Sequence, residues 1–368
     1  MNYLDLIVRI SIFVVGAYVV FTALLSAIRT FLLPRAAPDP VTRVVFSGLR
    51  RVFDLWLTSM RTYEERDRAM AYYGPVSILF LLAAWLCLVL TGYTLTFWSM
   101  QVQVLGLDPW LSAFSVSGSS LFTLGYAFID TLPAKLLSFS EAAIGPLLIA
   151  LLIGYMPTIY GAFSKREALV NLLEVRAGSP PSATDLIIRF HRLHRPERIG
   201  EMWITWEAWF SELEETHTSL PMLNFFRSPN PDHSWVTAAG AVLDAASMVL
   251  AVVDIPSDIQ ANLCIRAGYI ALRRIAGFFG IPYDPDPKPT DPISITREQF
   301  DYTLRILEEE GVPLKPDRDQ AWRDFAGWRV NYDAVLLALA KLTMAPPAPW
   351  SSPEMRQQRR PPLSGRGS

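Results

Sequence analysis

Apolar residues gather into three long runs that carry no charge: Ile10 to Ile28, Val76 to Leu107 and Ala142 to Ser164. Each is long enough to cross a bilayer core, which takes about 20 residues of helix. Elsewhere the pattern has helical period. Val45, Leu49, Val52, Trp56 and Met60 share one face of a helix predicted over Val41–Met60, with Arg50, Arg51, Asp54 and Arg61 opposite. That helix suits a membrane surface or the flank of the protein equally well. Ile199, Met202, Trp203, Trp206, Phe210 and Leu213 mark a helix over Pro196–Thr216, stopped by Pro221. Trp235 to Val253 is apolar enough to imitate a fourth span. Asp244 at its centre, and Arg266, Arg273 and Arg274 after it, make it a buried core helix instead. Further helices are predicted over Ile259–Phe279, from the capping pattern Thr296-Arg297-Glu298-Gln299 to Gly311, and as one long helix over Asp317–Thr343.

Composition sharpens this picture. The chain is 51% hydrophobic and 18% charged over 368 residues, too apolar for an ordinary soluble protein of that length. A net charge of −2 gives no case for nucleic acid as a partner. The two cysteines, Cys87 and Cys264, lie far apart and make no disulfide framework. The first run is read as a span rather than a signal peptide, because little positive charge precedes it and no A-x-A site follows.

Lys and Arg set the expected orientation. Arg35, Arg43, Arg50, Arg51, Arg61, Arg66 and Arg68 lie between the first two runs, whereas Gly74 to Glu141 holds only Lys135. Lys165, Arg166 and Arg176 follow the third run. The positive-inside rule then puts the N-terminus outside and everything after the third span in the cytosol, in a multi-pass protein of the cell membrane. The expected fold is an all-α membrane protein. Its parts are a first transmembrane helix (1–33), an amphipathic cytosolic linker (34–74), a span–re-entrant helix–span module (75–164), a helical cytosolic domain (165–344, with a proline-rich linker at 281–292) and a disordered tail (345–368).

The segment between the second and third runs carries the chemistry. Asp108-Pro109 reads as an N-cap followed by proline at the first helical position. Trp110 to Phe122 is too short to cross and suits a re-entrant helix. Its C-terminal end would aim partial negative charge at the membrane centre, favouring a cation. The chain would return outward as Thr123-Leu124-Gly125-Tyr126. Irregular backbone at that depth must be buried in protein or line a wet path.

Residues 76–163 resemble the helix–pore loop–helix module of the potassium-channel superfamily. The run Ser117-Gly118-Ser119-Ser120-Leu121-Phe122-Thr123-Leu124-Gly125-Tyr126 is similar to the family's S-x-x-T-L-T-T-V-G-Y-G. The resemblance implies a homotetramer in the lipid bilayer, with K⁺ as the transported ion and no cofactor. It implies that the carbonyls of Thr123, Leu124, Gly125 and Tyr126, with the Thr123 hydroxyl, coordinate the ion. Asp130 and Glu141 would concentrate cations at the outer mouth. Gly145, Gly154 and Pro157 would be hinge points on the third span. There are departures: Leu124 stands for Val, Phe122 for Thr, and Ala127 for the second filter glycine. Alanine in a left-handed conformation costs about 1–2 kcal/mol, which would rebuild or remove the outer carbonyl ring.

Other clusters read as structural. Arg192 and Arg195 flank His191 and His194 and oppose a metal ion, and His217 stands near Glu212, Glu214 and Glu215. Glu212, Glu215 and Asp244 could form an acid–base pair but have no nucleophile at a recognisable spacing, so no enzyme is expected. Trp203, Trp206 and Trp209 are expected in a core. The resulting expectation is a tetrameric cation channel, regulated by a cytosolic ligand or protein acting on the helical domain. The alternative is a non-conducting membrane-anchored interaction protein with a degenerate pore loop.

Overall fold

The computed structural model describes residues 3–31, 33, 39–104, 106–127, 129–193, 199–256 and 259–350. Residues 34–38, His194 and Arg195, and most of the tail lie outside them. The described residues form helices α1 (Tyr3–Phe31), α2 (Pro40–Leu57), α3 (Tyr63–Met70), α4 (Tyr73–Ser99), α5 (Pro109–Leu121), α6 (Leu132–Ala177), α7 (Ala183–Arg192), α8 (Ile199–Ser219), α9 (Trp235–Ala251), α10 (Ile259–Phe278), α11 (Arg297–Glu309), α12 (Arg318–Arg329) and α13 (Asp333–Thr343). Among these residues there is no strand, only an isolated bridge between Val253 and Leu314. Three of the helices are long and apolar enough to cross a membrane. The chain is an all-α membrane protein.

It divides into two compact units. One comprises 1–61 and 69–161, the other 62–68 and 162–368. The boundaries differ from the expected ones in a way that matters below. The short α3, which the sequence did not announce, belongs largely to the second unit, and α6 runs from the first unit into the second.

In the first unit α1 packs along α4. The contact is close because both helices present glycine. A Cβ on Gly16 would lie 2.6 Å from the Gly92 carbonyl, and one on Gly92 would lie 2.6 Å from Val20 Cγ2. Without water to drive apolar contact, such close backbone approach is how helices associate in lipid. A buried polar knot adds direction. Trp85 Nε1 donates to Ser26 Oγ at 2.8 Å, and Ser26 donates to Asp39 Oδ2 at 2.6 Å. Asp39 also accepts from the Thr42 amide and so caps α2. Helix α2 buries Phe53 and Leu57, with Phe53 5.5 Å from the Tyr73 ring. The sequence placed Val52 and Trp56 on the apolar face, but they stay exposed with Val44 and Leu55. The helix therefore has one apolar face on the protein and another left uncovered.

The second unit has a single core drawn from α6 through α13. Residues on both sides of the proline-rich 281–292 segment share it, so that segment is a crossing within one unit. Helix α9 is the expected core helix, with all but one residue buried. Trp203, Trp206 and Trp209 are buried too, and the Trp206 and Trp209 rings lie 4.6 Å apart. The long helix expected over 317–343 is two helices. The Asn331 side-chain amide donates to the carbonyls of Gly327 and Trp328 and ends α12. Two residues on, Asp333 starts α13, and its carboxylate receives Arg329 Nε at 2.7 Å and Ser294 Oγ at 2.6 Å. Arg329 is fully buried and also pairs with Asp244. The tail expected to be disordered from 345 is ordered at its start. Arg329 donates to the Trp350 carbonyl at 2.5 Å, and the Trp350 ring sits 5.4 Å from Phe325.

The α1–α4 contact predicts a sharp contrast between glycines. Gly16→Val should lower the melting temperature of the full-length protein in detergent, with a cost of about 1–3 kcal/mol or more from overpacking. Gly48→Ala, where a Cβ meets open space on α2, should leave it unchanged or raise it slightly.

Candidate functional site

Helix α5 is set by its first residues. Asp108 Oδ1 accepts the amides of Trp110 and Leu111, each at 3.0 Å, and Pro109 occupies the first turn. Its inner face is Ser112, Ala113, Val116, Ser117, Ser119, Ser120 and Leu121, all buried. These small side chains let it sit tightly against its neighbours. A Cβ on Gly145 of α6 would come within 2.1 Å of the Leu121 carbonyl. Gly145, expected from sequence as a hinge point, is a seat for the end of α5. Pro146, Gly154 and Pro157 lie within an unbroken α6, with open space around Gly154.

The end of α5 is where the site forms. The Thr123 amide donates to the Ser120 carbonyl at 3.0 Å, and the Leu124 amide to the Ser119 carbonyl at 2.8 Å. This double closure is a Schellman motif, which needs a left-handed residue where the helix ends. Glycine usually supplies it. Here Thr123 does, at φ +53°. A β-branched residue in that conformation is a genuine outlier, costing about 1–2 kcal/mol. Gly125 is also left-handed, at φ +70°. Next, one hydroxyl collects two amides: Ser119 Oγ accepts from Tyr126 at 3.1 Å and from Ala127 at 3.2 Å.

A trans peptide unit is planar, so its carbonyl points opposite its amide N–H. The amides of Leu124, Tyr126 and Ala127 point at α5. The carbonyls of Thr123, Gly125 and Tyr126 therefore point away from it. Among the described residues, none of the carbonyls from Thr123 to Tyr126 accepts a hydrogen bond. The arrangement leaves a row of bare acceptors along an exposed stretch, with Leu124 64% and Tyr126 59% exposed.

Two expectations need correction here. Ala127 has no positive φ, so the left-handed penalty assigned to it does not arise. The strained residue is Thr123 instead, and no feature of the sequence pointed to it. Glu141 is not at an outer mouth. It is fully buried, its Oε1 accepts from Ser117 Oγ at 2.5 Å, and its Oε2 has no partner among the described residues. Ser117 also lies 3.1 Å from the Leu90 carbonyl, so this cluster joins α4, α5 and α6. Ser120 Oγ and Ser138 Oγ, 2.6 Å apart, add a second link between α5 and the start of α6. Asp130 is exposed, just ahead of α6.

The second unit holds the continuations of the spans through arginine. Arg166, on α6, is buried, pairs with Glu167 at 2.8 Å, and donates to the carbonyls of Leu223 at 2.9 Å and Phe226 at 2.7 Å. Arg227 pairs with Asp67 of α3 and donates to the carbonyls of Thr343 at 2.6 Å and Met344 at 3.1 Å. His217 faces Arg166, with Nε2 3.2 Å from its Nη1 and Nδ1 2.9 Å from the Leu213 carbonyl. Nδ1 is thus the donor and Nε2 the acceptor. The glutamates near His217 in sequence turn elsewhere. Glu212 pairs with Lys165, and Glu214 with Arg274. The acid–base grouping of Glu212, Glu215 and Asp244 is likewise not assembled, since Asp244 is closed off by Arg329 and Tyr332.

These features define a membrane protein whose first unit carries a capped short helix, α5, and an irregular carbonyl-bearing segment between the long apolar helices α4 and α6. No protein-family model matches the chain, and no solved structure is similar to it. Among curated proteins it is similar to the uncharacterized membrane protein YdjJ of Bacillus subtilis strain 168, 22% identical over 258 residues, which is 68% of this chain and 72% of that one. That likeness agrees with a membrane location.

Two predictions follow from these contacts. Gly145→Ala should destabilise the packing of α5 and lower the detergent melting temperature, whereas Gly154→Ala should not. Burial, with the Arg166 charge beside it, pushes the His217 imidazole well below its usual range. Below the ordinary histidine value of about 6.5, the unfolded chain takes up a proton that the folded chain refuses. Stability should therefore fall as pH drops from about 7 to 5. Thermal melts of the full-length protein should show a shallower fall in His217→Gln than in the wild type.

Proposed function

We propose that this chain forms a homotetrameric cation channel with K⁺ as the transported ion. Helices α4, α5 and α6 and the return segment Thr123–Tyr126 build the pore, and α1 packs outside it. The observation that carries this reading is the row of outward carbonyls. Carbonyl rings can replace the hydration shell of a K⁺ ion. Irregular, polar backbone between two spans is tolerated at membrane depth only inside protein or along a wet path. In one copy this segment is exposed. Copies arranged about an axis would enclose it, with the Thr123 hydroxyl and the four carbonyls from Thr123 to Tyr126 facing the path. In this reading Asp130 draws cations to the outer mouth.

The orientation follows from charge. The N-terminus lies outside and the second unit in the cytosol, because Arg43, Arg50, Arg51 and Arg61 precede the second span and Lys165, Arg166 and Arg176 follow the third. The second unit acts as a regulatory domain that responds to a cytosolic ligand or protein. It contains both the segment leading into α4 and the extension of α6, held by Arg227 and Arg166. A change in that unit reaches both pore-forming spans through continuous chain.

Flux of K⁺ and Na⁺ through purified protein in liposomes tests the proposal. Wild-type protein should carry K⁺. Gly125→Arg, which puts a long cationic side chain where the backbone needs φ +70°, should abolish flux while leaving the tetramer intact. Unchanged flux in that variant would falsify the pore assignment. A well-formed tetramer that carries no ion under any condition would favour a membrane-anchored interaction protein.

A further inference from the structure

The outer part of the return segment depends on one side chain. Helix α5 ends at Leu121, and its backbone closes only on Phe122, Thr123 and Leu124. Beyond that point the amides of Tyr126 and Ala127 have a single partner among the described residues, the Ser119 hydroxyl. Ser119 is buried, two residues before the end of α5. A hydroxyl oxygen has two lone pairs, and both are used here. No backbone closure performs this task, and Ala127 reaches its place without a left-handed conformation.

We infer that Ser119 is the selectivity-setting positioning residue of this pore. By holding two successive amides, it fixes two successive peptide planes and so aims the carbonyls of Gly125 and Tyr126 at the ion path. Successive carbonyls in an extended strand would alternate in direction. Here those of Gly125 and Tyr126 point the same way, because Ser119 pins the planes on either side of Tyr126. The ion itself is coordinated by carbonyl oxygens, and Ser119 never touches it. Rings of carbonyls held in place favour the ion whose hydration shell they match, which is K⁺. Planes free to rotate lose that preference and admit Na⁺. The inference rests on reading Thr123–Tyr126 as an ion path.

The experiment compares full-length wild type, Ser119→Ala and Ser119→Thr in liposomes under opposed K⁺ and Na⁺ gradients. The K⁺/Na⁺ permeability ratio is read from the reversal potential. The wild type should favour K⁺. Ser119→Ala should remain a conducting tetramer with the ratio lowered roughly tenfold, in line with the loss of two ordinary hydrogen bonds. Ser119→Thr, which restores the hydroxyl, should recover most of the ratio. A merely structural role for Ser119 would change tetramer yield and leave the ratio alone. An unchanged ratio in Ser119→Ala overturns the inference, as does a Ser119→Thr ratio no better than that of alanine. If Ser119→Ala does not assemble, Ser119→Cys carries the test, since a thiol has similar shape and accepts hydrogen bonds weakly. A wild-type ratio in the cysteine variant then overturns the inference. A wild type that conducts K⁺ and Na⁺ equally overturns it while leaving the pore in place. A wild type that conducts neither removes the channel reading itself.

Discussion

Backbone amides that leave the end of a helix must find partners, and at the end of α5 that requirement shapes the segment that follows. The first amides close back on the helix in a Schellman motif, and the next pair close on Ser119. Each closure turns a carbonyl the other way, because a peptide plane has two ends. The outward carbonyls of Thr123, Gly125 and Tyr126 are the other face of the satisfied amides of Leu124, Tyr126 and Ala127. This bargain tolerates a left-handed threonine, a conformation that would be costly elsewhere.

The helices around this segment hold it in place. Small residues set the distances. Gly145 admits the end of α5, and Gly16 and Gly92 admit α1 against α4. Polar side chains set the direction. Glu141 and Ser117 tie α5 to α6, and Ser26, Asp39 and Trp85 tie the start of α2 to the spans. Apolar packing alone is weakly directional in a lipid environment, so hydrogen bonds of this kind determine which way a helix faces.

Much of the fold was legible in the sequence because its signals are local. Charge-free runs gave the spans, Asp108-Pro109 gave the start of α5, and Thr296 with Gln299 gave the capping box of α11. Asp244 marked α9 as a core helix, and the structure buries it there with Asp244 paired to Arg329. What sequence missed depends on distant partners. The break at Asn331 is the exception, a local cap made by its own side chain on Gly327 and Trp328, whereas Asp333 just beyond it is held by Ser294, 39 positions earlier in the chain. Glu141 looked like a surface acid because nothing near it in sequence reveals Ser117. Thr123-Leu124-Gly125-Tyr126 was legible as a segment, but its geometry was not. Attention fell on the alanine that replaces a glycine, whereas the unusual backbone lies at Thr123, where no substitution rule pointed.

One consequence lies in the order of the chain. The second unit begins at residues 62–68, is interrupted by the whole of 69–161, and resumes at 162. The apolar stretch from α4 to the middle of α6 thus lies, in sequence, between two segments of that unit. Asp67 finds Arg227 only after that whole stretch has been made. A ribosome has therefore delivered both long apolar helices, α4 and α6, before the second unit can close around its own first segment. Cutting the chain after α6 would not release a clean membrane half, because it would strand α3 without the partners that define it.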